Sequence, residues 1–389
     1  MDNFDEIRPY HDDEVKGVVT RLLANEDFLE FLGRYYSPWL SKYFPVVARF
    51  AAHRVLNKQL GKVTTIYEFQ QVVAAFGTRI IAETMTWFKF EGIDKLEENL
   101  GYLFIGNHRD IAGDSFLVNY ALWSSDLPTV RIAVGDNLVQ KDFATAIMKL
   151  NKSFFIKRSE EGAKKVFAAL MESSRYIHQS IDDTQSVWIA QSEGRAKDGM
   201  DVTDPAIIKM FALATRKRPL TETIEKLHVM PVSIAYEYDP CDYLKAKELY
   251  IIQTEGEYEK PSGEDLLSLV KGLGEFKGRV ILRFGERLAG TFETAEEIAG
   301  AVDRQVLDNY QLFFVNYWAL RELASTEDAD DRVVTTWEAL KDSVEFTETE
   351  EFEARYLACP EAWRVNWLEM YANPVVNKYL SKSSRLAPV

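Results

Sequence analysis

Cysteine is scarce in this chain: Cys241 and Cys359 are the two present among 389 residues. Two thiols exclude a disulfide framework and make no metal-ligand pair, so reduced thiols in a cytoplasmic protein are the expectation. Long apolar runs are also missing. No segment approaches the roughly 18 uninterrupted apolar residues of a membrane-spanning helix, and the acidic opening MDNFDEIRPYHDDEVK lacks the apolar centre of a signal peptide. Positive charge is in deficit, with 46 Lys and Arg against 61 Asp and Glu and a formal net charge of −15. That balance argues against nucleic acid as the main partner, because phosphate backbones demand clustered Lys and Arg. Histidine is rare as well, five in all.

What is present reads as a globular protein. The composition is 47% hydrophobic and 28% charged, too apolar for disorder, and the length suits more than one structural unit. The first 95 or so residues are helical in pattern, with apolar residues at helical spacing in Val18, Leu22, Leu23 and Phe28 and again in Phe69, Val72, Val73, Phe76 and Ile80. Pro38 and Pro45 suit helix starts. From Tyr102 short apolar runs alternate with helical segments. The runs are Tyr102–Ile105, Val130–Val134, Phe154–Ile156, Val187–Ala190, Val229–Ala235, Leu249–Gln253 and Arg279–Phe284. Such alternation predicts an α/β unit whose central sheet is mixed or largely parallel, with helices on both faces. After about Thr291 the pattern turns helical again. The predicted organisation is an N-terminal helical part (1–95), an α/β domain (96–290) and a C-terminal helical part (291–389).

One histidine has an unusual neighbourhood, Gly106-Asn107-His108-Arg109-Asp110-Ile111-Ala112-Gly113-Asp114-Ser115. It follows an apolar run, which places His108 at a strand's C-terminal end, where α/β folds build their sites. Asp110 suits the N-cap of the next helix, and Asp114 on that helix is within reach of the imidazole. A carboxylate beside a histidine fixes its tautomer and raises the basicity of the far nitrogen, as deprotonation of an alcohol requires. By itself the same pattern equally suits a histidine at a helix start with two capping aspartates.

Further short blocks follow. Phe154-Phe155-Ile156-Lys157-Arg158, Glu193-Gly194-Arg195 and Val229-Met230-Pro231-Val232 each sit at a predicted strand. With Asn107-His108 and its downstream Asp, these blocks resemble, in order and spacing, the glycerolipid acyltransferases that act on glycerol 3-phosphate or 1-acylglycerol 3-phosphate. The resemblance covers roughly residues 100–290. It implies that His108 is the general base for the acceptor hydroxyl, oriented by Asp114, with direct attack on a thioester and neither metal nor cofactor. It also implies acyl-CoA or acyl carrier protein as donor and a glycerol-phosphate-type acceptor. Lys157 and Arg158 would hold the acceptor phosphate through charge-assisted bonds. Arg195 would grip phosphate, Glu193 would brace the acceptor or loop, and Gly194 would permit a turn or a close approach. The fourth block reads as core packing.

The chain departs from the family pattern in two places. His108 and Asp114 stand one residue further apart than usual, which leaves Asp110 as an alternative partner. In the third block Ser192 replaces the usual Pro, and Arg195 stands where Thr is usual, so Arg195 need not be the family's arginine. Acceptor identity is left open between lysophosphatidate, ranked first, glycerol 3-phosphate and another lipid hydroxyl.

Two surface features complete the reading. Arg216-Lys217-Arg218 and Lys164-Lys165 would meet coenzyme A phosphates or an acidic carrier protein, or else line solvated helix faces. From Phe31 to Tyr67 there is no acid and there are six basic residues. These interleave with Tyr35, Tyr36, Trp39, Tyr43, Phe44 and Phe50, the composition of a helix lying in an anionic membrane interface. A core helix with a basic outer face is the alternative. Peripheral contact on the inner face of the cytoplasmic membrane is the corresponding expectation. Two other functions fit less of the sequence. Gly113-Asp114-Ser115 resembles the Gly-Asp-Ser signature of an esterase and lipase family, which would make Ser115 a nucleophile, although the triplet falls inside a predicted helix and no histidine follows His228. A non-catalytic lipid-binding protein on the same fold is the other.

Overall fold

The computed structural model describes residues 4–138, 141–261, 263–346 and 349–386. The chain opens with α1 (Asp12–Ala24), α2 (Glu26–Tyr36), α3 (Pro38–Tyr43), α4 (Pro45–Leu60) and α5 (Ile66–Thr84). Pro38 and Pro45 occupy first-turn positions of α3 and α4, where the missing N–H costs nothing. Thr65 and Glu68 close a reciprocal capping box at the start of α5.

The strands are β1 (Met85–Glu91), β2 (Leu103–Gly106), β3 (Arg131–Gly135), β4 (Ser153–Ile156), β5 (Val187–Ala190), β6 (Met230–Tyr236) and β7 (Gly278–Phe284). They form one sheet in the order β1-β7-β6-β2-β5-β3-β4. β6, β2, β5, β3 and β4 run parallel, β7 is antiparallel to β6, and β1 is parallel to β7. The sheet is therefore mixed. Its central strand β2, Leu-Phe-Ile-Gly, is buried at every position, as a strand covered on both faces must be.

Between strands lie α6 (Gly113–Ser124), α7 (Asp142–Leu150), α8 (Ala163–Asp182), α9 (Pro205–Ala212), α10 (Leu220–Lys226), α11 (Asp242–Glu255) and α12 (Glu264–Gly274). The chain ends in α13 (Ala295–Asn309), α14 (Phe314–Ala324), α15 (Asp331–Leu340), α16 (Glu350–Ala358) and α17 (Arg364–Leu386). Side chains that alternate along the strands feed two cores. Leu103, Ile105, Val187 and Ile189 pack with residues of α8, α9 and α13 on one face. Phe104, Trp188, Met230 and Val232 pack with Leu117, Val118 and Ala121 of α6 on the other. The C-terminal helices close around Phe352, Trp318, Trp367 and Tyr371, and α1 packs with α5 and α7 through Val15, Phe69 and Phe143.

Two expectations are corrected. Leu249–Gln253 is not a strand but the last turns of α11, which runs from Asp242 until Gly256 stops it in the left-handed region at φ 91°. Five residues with a β-branched pair look alike in a strand and a buried helix, and the helix's length decides between them. Conversely, Met85–Glu91, inside the segment read as helical, is a strand at the sheet edge. It follows α5 with no intervening turn residue, because Met85 both ends the helix and begins the strand.

Candidate active site

β2 ends at Gly106, in the middle of the sheet, and His108 stands just beyond it. A side chain at Gly106 would come within 2.8 Å of the Trp188 indole nitrogen, so the glycine lets Trp188 of β5 lie across the strand end. Trp188 then meets the His108 ring edge-on, with centroids 5.9 Å apart. Asn107 ties the strand end to β6: Ile234 N–H donates to its Oδ1 at 2.8 Å, and its Nδ2 donates to the Ile234 carbonyl at 3.0 Å.

The chain then turns into α6. Asp110 Oδ1 accepts from the N–H groups of Ala112 and Gly113 at 3.1 and 2.6 Å and closes the turn, but the N-cap of α6 is Ala112, two residues beyond the position expected for it. The carboxylate that reaches the histidine is Asp114. Its Oδ2 accepts from His108 Nδ1 at 2.8 Å and from the N–H groups of Arg109 and Asp110 at 2.7 and 3.0 Å. Its Oδ1 accepts from the Tyr236 hydroxyl at 2.8 Å. The extra residue between His108 and Asp114 is absorbed in the Asp110–Ala112 turn, so Asp114 and not Asp110 holds the ring.

The electrostatics follow from burial. Asp114 is buried with four donors around it. Burial, followed by the Asp114 charge, raises the pKa of the Asp110 carboxyl. Burial and the same charge push the Tyr236 phenol far above its usual range, so it stays a neutral donor. With Nδ1 held as the donor to Asp114, Nε2 of His108 carries the lone pair, and among the described residues nothing hydrogen-bonds to it. The side chain of His108 keeps 16% exposure while that of Asp114 keeps 1%. The imidazole is thus partly open to solvent while the carboxylate behind it is closed off.

A buried layer supports the loop. Arg109 donates to the Gly199 carbonyl and to Asp201, and its guanidinium lies over the Tyr310 ring. Burial opposes that charge, but the Asp201 carboxylate outweighs it and raises the arginine's pKa. Lys245, fully buried, donates to the Arg109 carbonyl at 2.7 Å and pairs with Asp239. Sequence reading missed Tyr236, Trp188, Asp201 and Lys245, because each lies far from His108 along the chain. The one available signal was a charged or hydroxyl residue beside an apolar run.

The remaining candidates divide. Arg158 Nη1 pairs with Glu193 Oε1 at 3.2 Å, joining the second and third blocks. The third block is fastened to the histidine loop through Ala196 N–H, which donates to the His108 carbonyl at 2.8 Å. Gly194 has φ 77° with open space where a side chain would be, so it serves the turn and not a close approach. Arg195 Nη2 donates to Ser268 at 3.4 Å, whereas its buried Nη1 has no partner among the described residues. Lys157 is not brought to this group: its ammonium pairs with Glu6 and with Glu172 of α8, 3.3 Å away. Pro231 and Val232 lie inside β6 as core. Ser115 sits in the first turn of α6, and its hydroxyl donates to the Ala112 carbonyl at 3.4 Å, with no histidine contact. Cys241 and Cys359 are free and buried. Among the described residues no three His, Cys, Asp or Glu side chains are grouped to hold a metal ion.

Residues 88–235 match the model of the Acyltransferase family. No curated protein matches the chain. Among solved structures it is similar to the 1-acyl-sn-glycerophosphate acyltransferase PlsC from Thermotoga maritima, at 14% identity and a TM-score of 0.39, over 73% of this chain and 97% of that one. The segment that matches the Acyltransferase family contains His108, Asp114, Arg158, Glu193 and Arg195.

Proposed function

We propose that the protein moves a fatty acyl group from the thioester of acyl-CoA or acyl carrier protein to a hydroxyl of 1-acylglycerol 3-phosphate or glycerol 3-phosphate, with lysophosphatidate ranked first. The observation that carries this reading is the His108 Nδ1–Asp114 hydrogen bond of 2.8 Å, which leaves Nε2 as the ring's acceptor. In the reaction Nε2 takes the proton from the acceptor hydroxyl as its oxygen attacks the thioester carbonyl. The tetrahedral adduct collapses with departure of the thiolate, which receives the proton from the imidazolium. Asp114 stabilises the imidazolium, and no acyl-enzyme forms.

Arg158 and Arg195 are the groups assigned to the acceptor phosphate, with Glu193 holding Arg158 in place. Lys157, engaged by two glutamates, is given no direct role. The membrane side of the reaction is assigned to α2–α4. Trp39, Tyr43, Phe44 and Phe50 are exposed there, Trp39 and Phe50 by about two thirds, at 64% and 66%. Lys42, Arg54, Lys58 and Lys62 are exposed beside them. The side chain of Tyr35 lies outside the described residues. Among the described residues no helix is long and apolar enough to cross a membrane, so this arm would rest in the interface. Peripheral contact with the inner face of the cytoplasmic membrane is the location this assigns.

The experiment is release of free thiol from oleoyl-CoA, with and without lysophosphatidate or glycerol 3-phosphate. Acceptor-dependent release that disappears in folded His108→Ala is the expected result, and the acceptor that supports it is thereby identified. Full activity in that variant would overturn the assignment of the base, and acceptor-independent release would move the reading to hydrolysis.

A further inference from the structure

The histidine loop is held from behind by a buried lysine. Lys245, in the first turn of α11, is 1% exposed. Its ammonium pairs with Asp239 and donates to the Arg109 carbonyl at 2.7 Å, 136 positions away along the chain. That carbonyl belongs to the Arg109–Asp110 peptide. The N–H of the same peptide, on Asp110, donates to Asp114 Oδ2 at 3.0 Å, and this is the oxygen that accepts from His108 Nδ1. One peptide plane thus stands between the ammonium and the carboxylate that orients the imidazole.

Two physical effects act through that plane. A cation on a peptide carbonyl draws charge from it and makes the N–H of the same peptide a stronger donor, which reinforces the bond to Asp114. The ammonium also fixes the plane's orientation. Without it the Arg109 carbonyl would lose its partner, and the peptide would gain by turning toward another donor, taking the Asp110 N–H away from Asp114. For stability alone, a buried ion pair is often no better than well-packed apolar side chains. What an apolar side chain cannot supply is the donor to the Arg109 carbonyl. The lysine's partner is fixed in turn from the C-terminal helices. Asp239 Oδ1 accepts from Cys241 N–H at 2.8 Å, its own N–H donates to the Tyr371 hydroxyl of α17 at 2.9 Å, and its carbonyl accepts from Arg355 of α16 at 3.3 Å.

We propose that Lys245 is a positioning residue for His108: through the Arg109–Asp110 peptide it holds Asp114 Oδ2 and the Nδ1–H of His108 in register. α16 and α17 then bear on the histidine through Asp239 and Lys245. The proposal rests on His108 acting as the base, but it is read first on the ring proton, which needs no substrate.

The experiment follows the Nδ1 proton of His108 in the NMR spectrum of the full chain, identified by its absence in His108→Ala. Its exchange with water is measured in wild type, Lys245→Met and Lys245→Met/Asp239→Asn. The double variant leaves no unpaired carboxylate and keeps the comparison open if the single variant does not fold. Lys152→Met is the control: that lysine also donates to a carbonyl, of Thr129, but lies just ahead of β4, at the opposite end of the parallel strands from His108. Exchange is expected to quicken about tenfold or more in both Lys245 variants, the worth of about one charge-assisted hydrogen bond, and to stay as in wild type in Lys152→Met. In acceptor-dependent thiol release, kcat is expected to fall about tenfold with both KM values within about twofold. Wild-type exchange in a folded Lys245 variant would overturn the proposal, even with a lowered melting temperature, since the lysine would then serve the fold alone. So would equal quickening in Lys152→Met, or failure of both Lys245 variants to fold. If wild type releases no thiol with any acceptor, the acyl-transfer reading fails, and the exchange comparison still decides the role of Lys245.

Discussion

Replacing Asp114 by Asn separates the charge of this carboxylate from its shape. In the structure Oδ2 receives three hydrogen bonds and Oδ1 one, the latter from a Tyr236 hydroxyl that can also accept. An asparagine at this position, with its carbonyl oxygen where Oδ2 now lies, keeps the two loop N–H bonds and the His108 contact, and its amide donates to Tyr236. The fold is therefore expected to survive, with a cost of about 1–2 kcal/mol for exchanging charged for neutral hydrogen bonds. Catalysis is expected to suffer far more. The imidazolium formed in the transition state loses its counter-charge, and a positioned base is worth about 10²–10⁴ in rate. We expect kcat to fall about 10²–10³-fold with the acceptor KM changed by no more than about threefold, because Asp114 is buried and does not touch the acceptor. Asp114→Ala, by contrast, strands two backbone N–H groups and the Tyr236 hydroxyl, and is expected to lose several kcal/mol of stability at about 1–3 per unmet donor. The assay is acceptor-dependent thiol release, with urea melts on the same preparations. Wild-type kcat in a folded Asp114→Asn protein would refute the argument. So would a loss seen in KM alone.

Other expectations are readily checked. Asp201→Asn removes the counter-charge of the buried Arg109 and is expected to cost about 3–5 kcal/mol in urea unfolding; a loss below about 1 kcal/mol would show the pair to be dispensable. Trp39→Ser with Phe50→Ser is expected to abolish co-sedimentation with vesicles rich in phosphatidylglycerol without lowering the melting temperature, and binding indifferent to anionic lipid would remove the interfacial role of α2–α4. Lys152, whose ammonium donates to the Thr129 carbonyl, has its pKa lowered to about 8 by burial and then by Arg131. The unfolded chain holds that proton up to its ordinary value near 10.5. Between the two values the unfolded state binds more protons, so wild-type stability should gain on Lys152→Met as pH rises from about 8 to 10. A stability difference that stays flat with pH would contradict it.

The sequence by itself determined the parts of this protein that depend on local patterning. Short apolar runs made β2 to β6 readable, most plainly at β2, which is covered on both faces and buried at every position. Pro38, Pro45 and the Thr65–Glu68 pair marked helix starts, because capping and proline geometry act within a turn. The strand-end position of His108, with carboxylates a turn away, was likewise local. Tertiary structure decided the rest. Whether Asp110 or Asp114 holds the ring depended on how the Asp110–Ala112 turn closes against Tyr236, which lies on another strand. β1 escaped notice because an edge strand that follows directly from a helix carries no breaker, and only its pairing with β7 defines it. Lys157 and Arg158, adjacent in sequence, were separated by the alternation of side chains past β4 and by Glu172, nine residues into α8. The Arg109–Asp201 and Lys245–Asp239 pairs stayed hidden for the same reason: charges become partners through burial, and burial belongs to the assembled sheet and helices, not to any one stretch of chain.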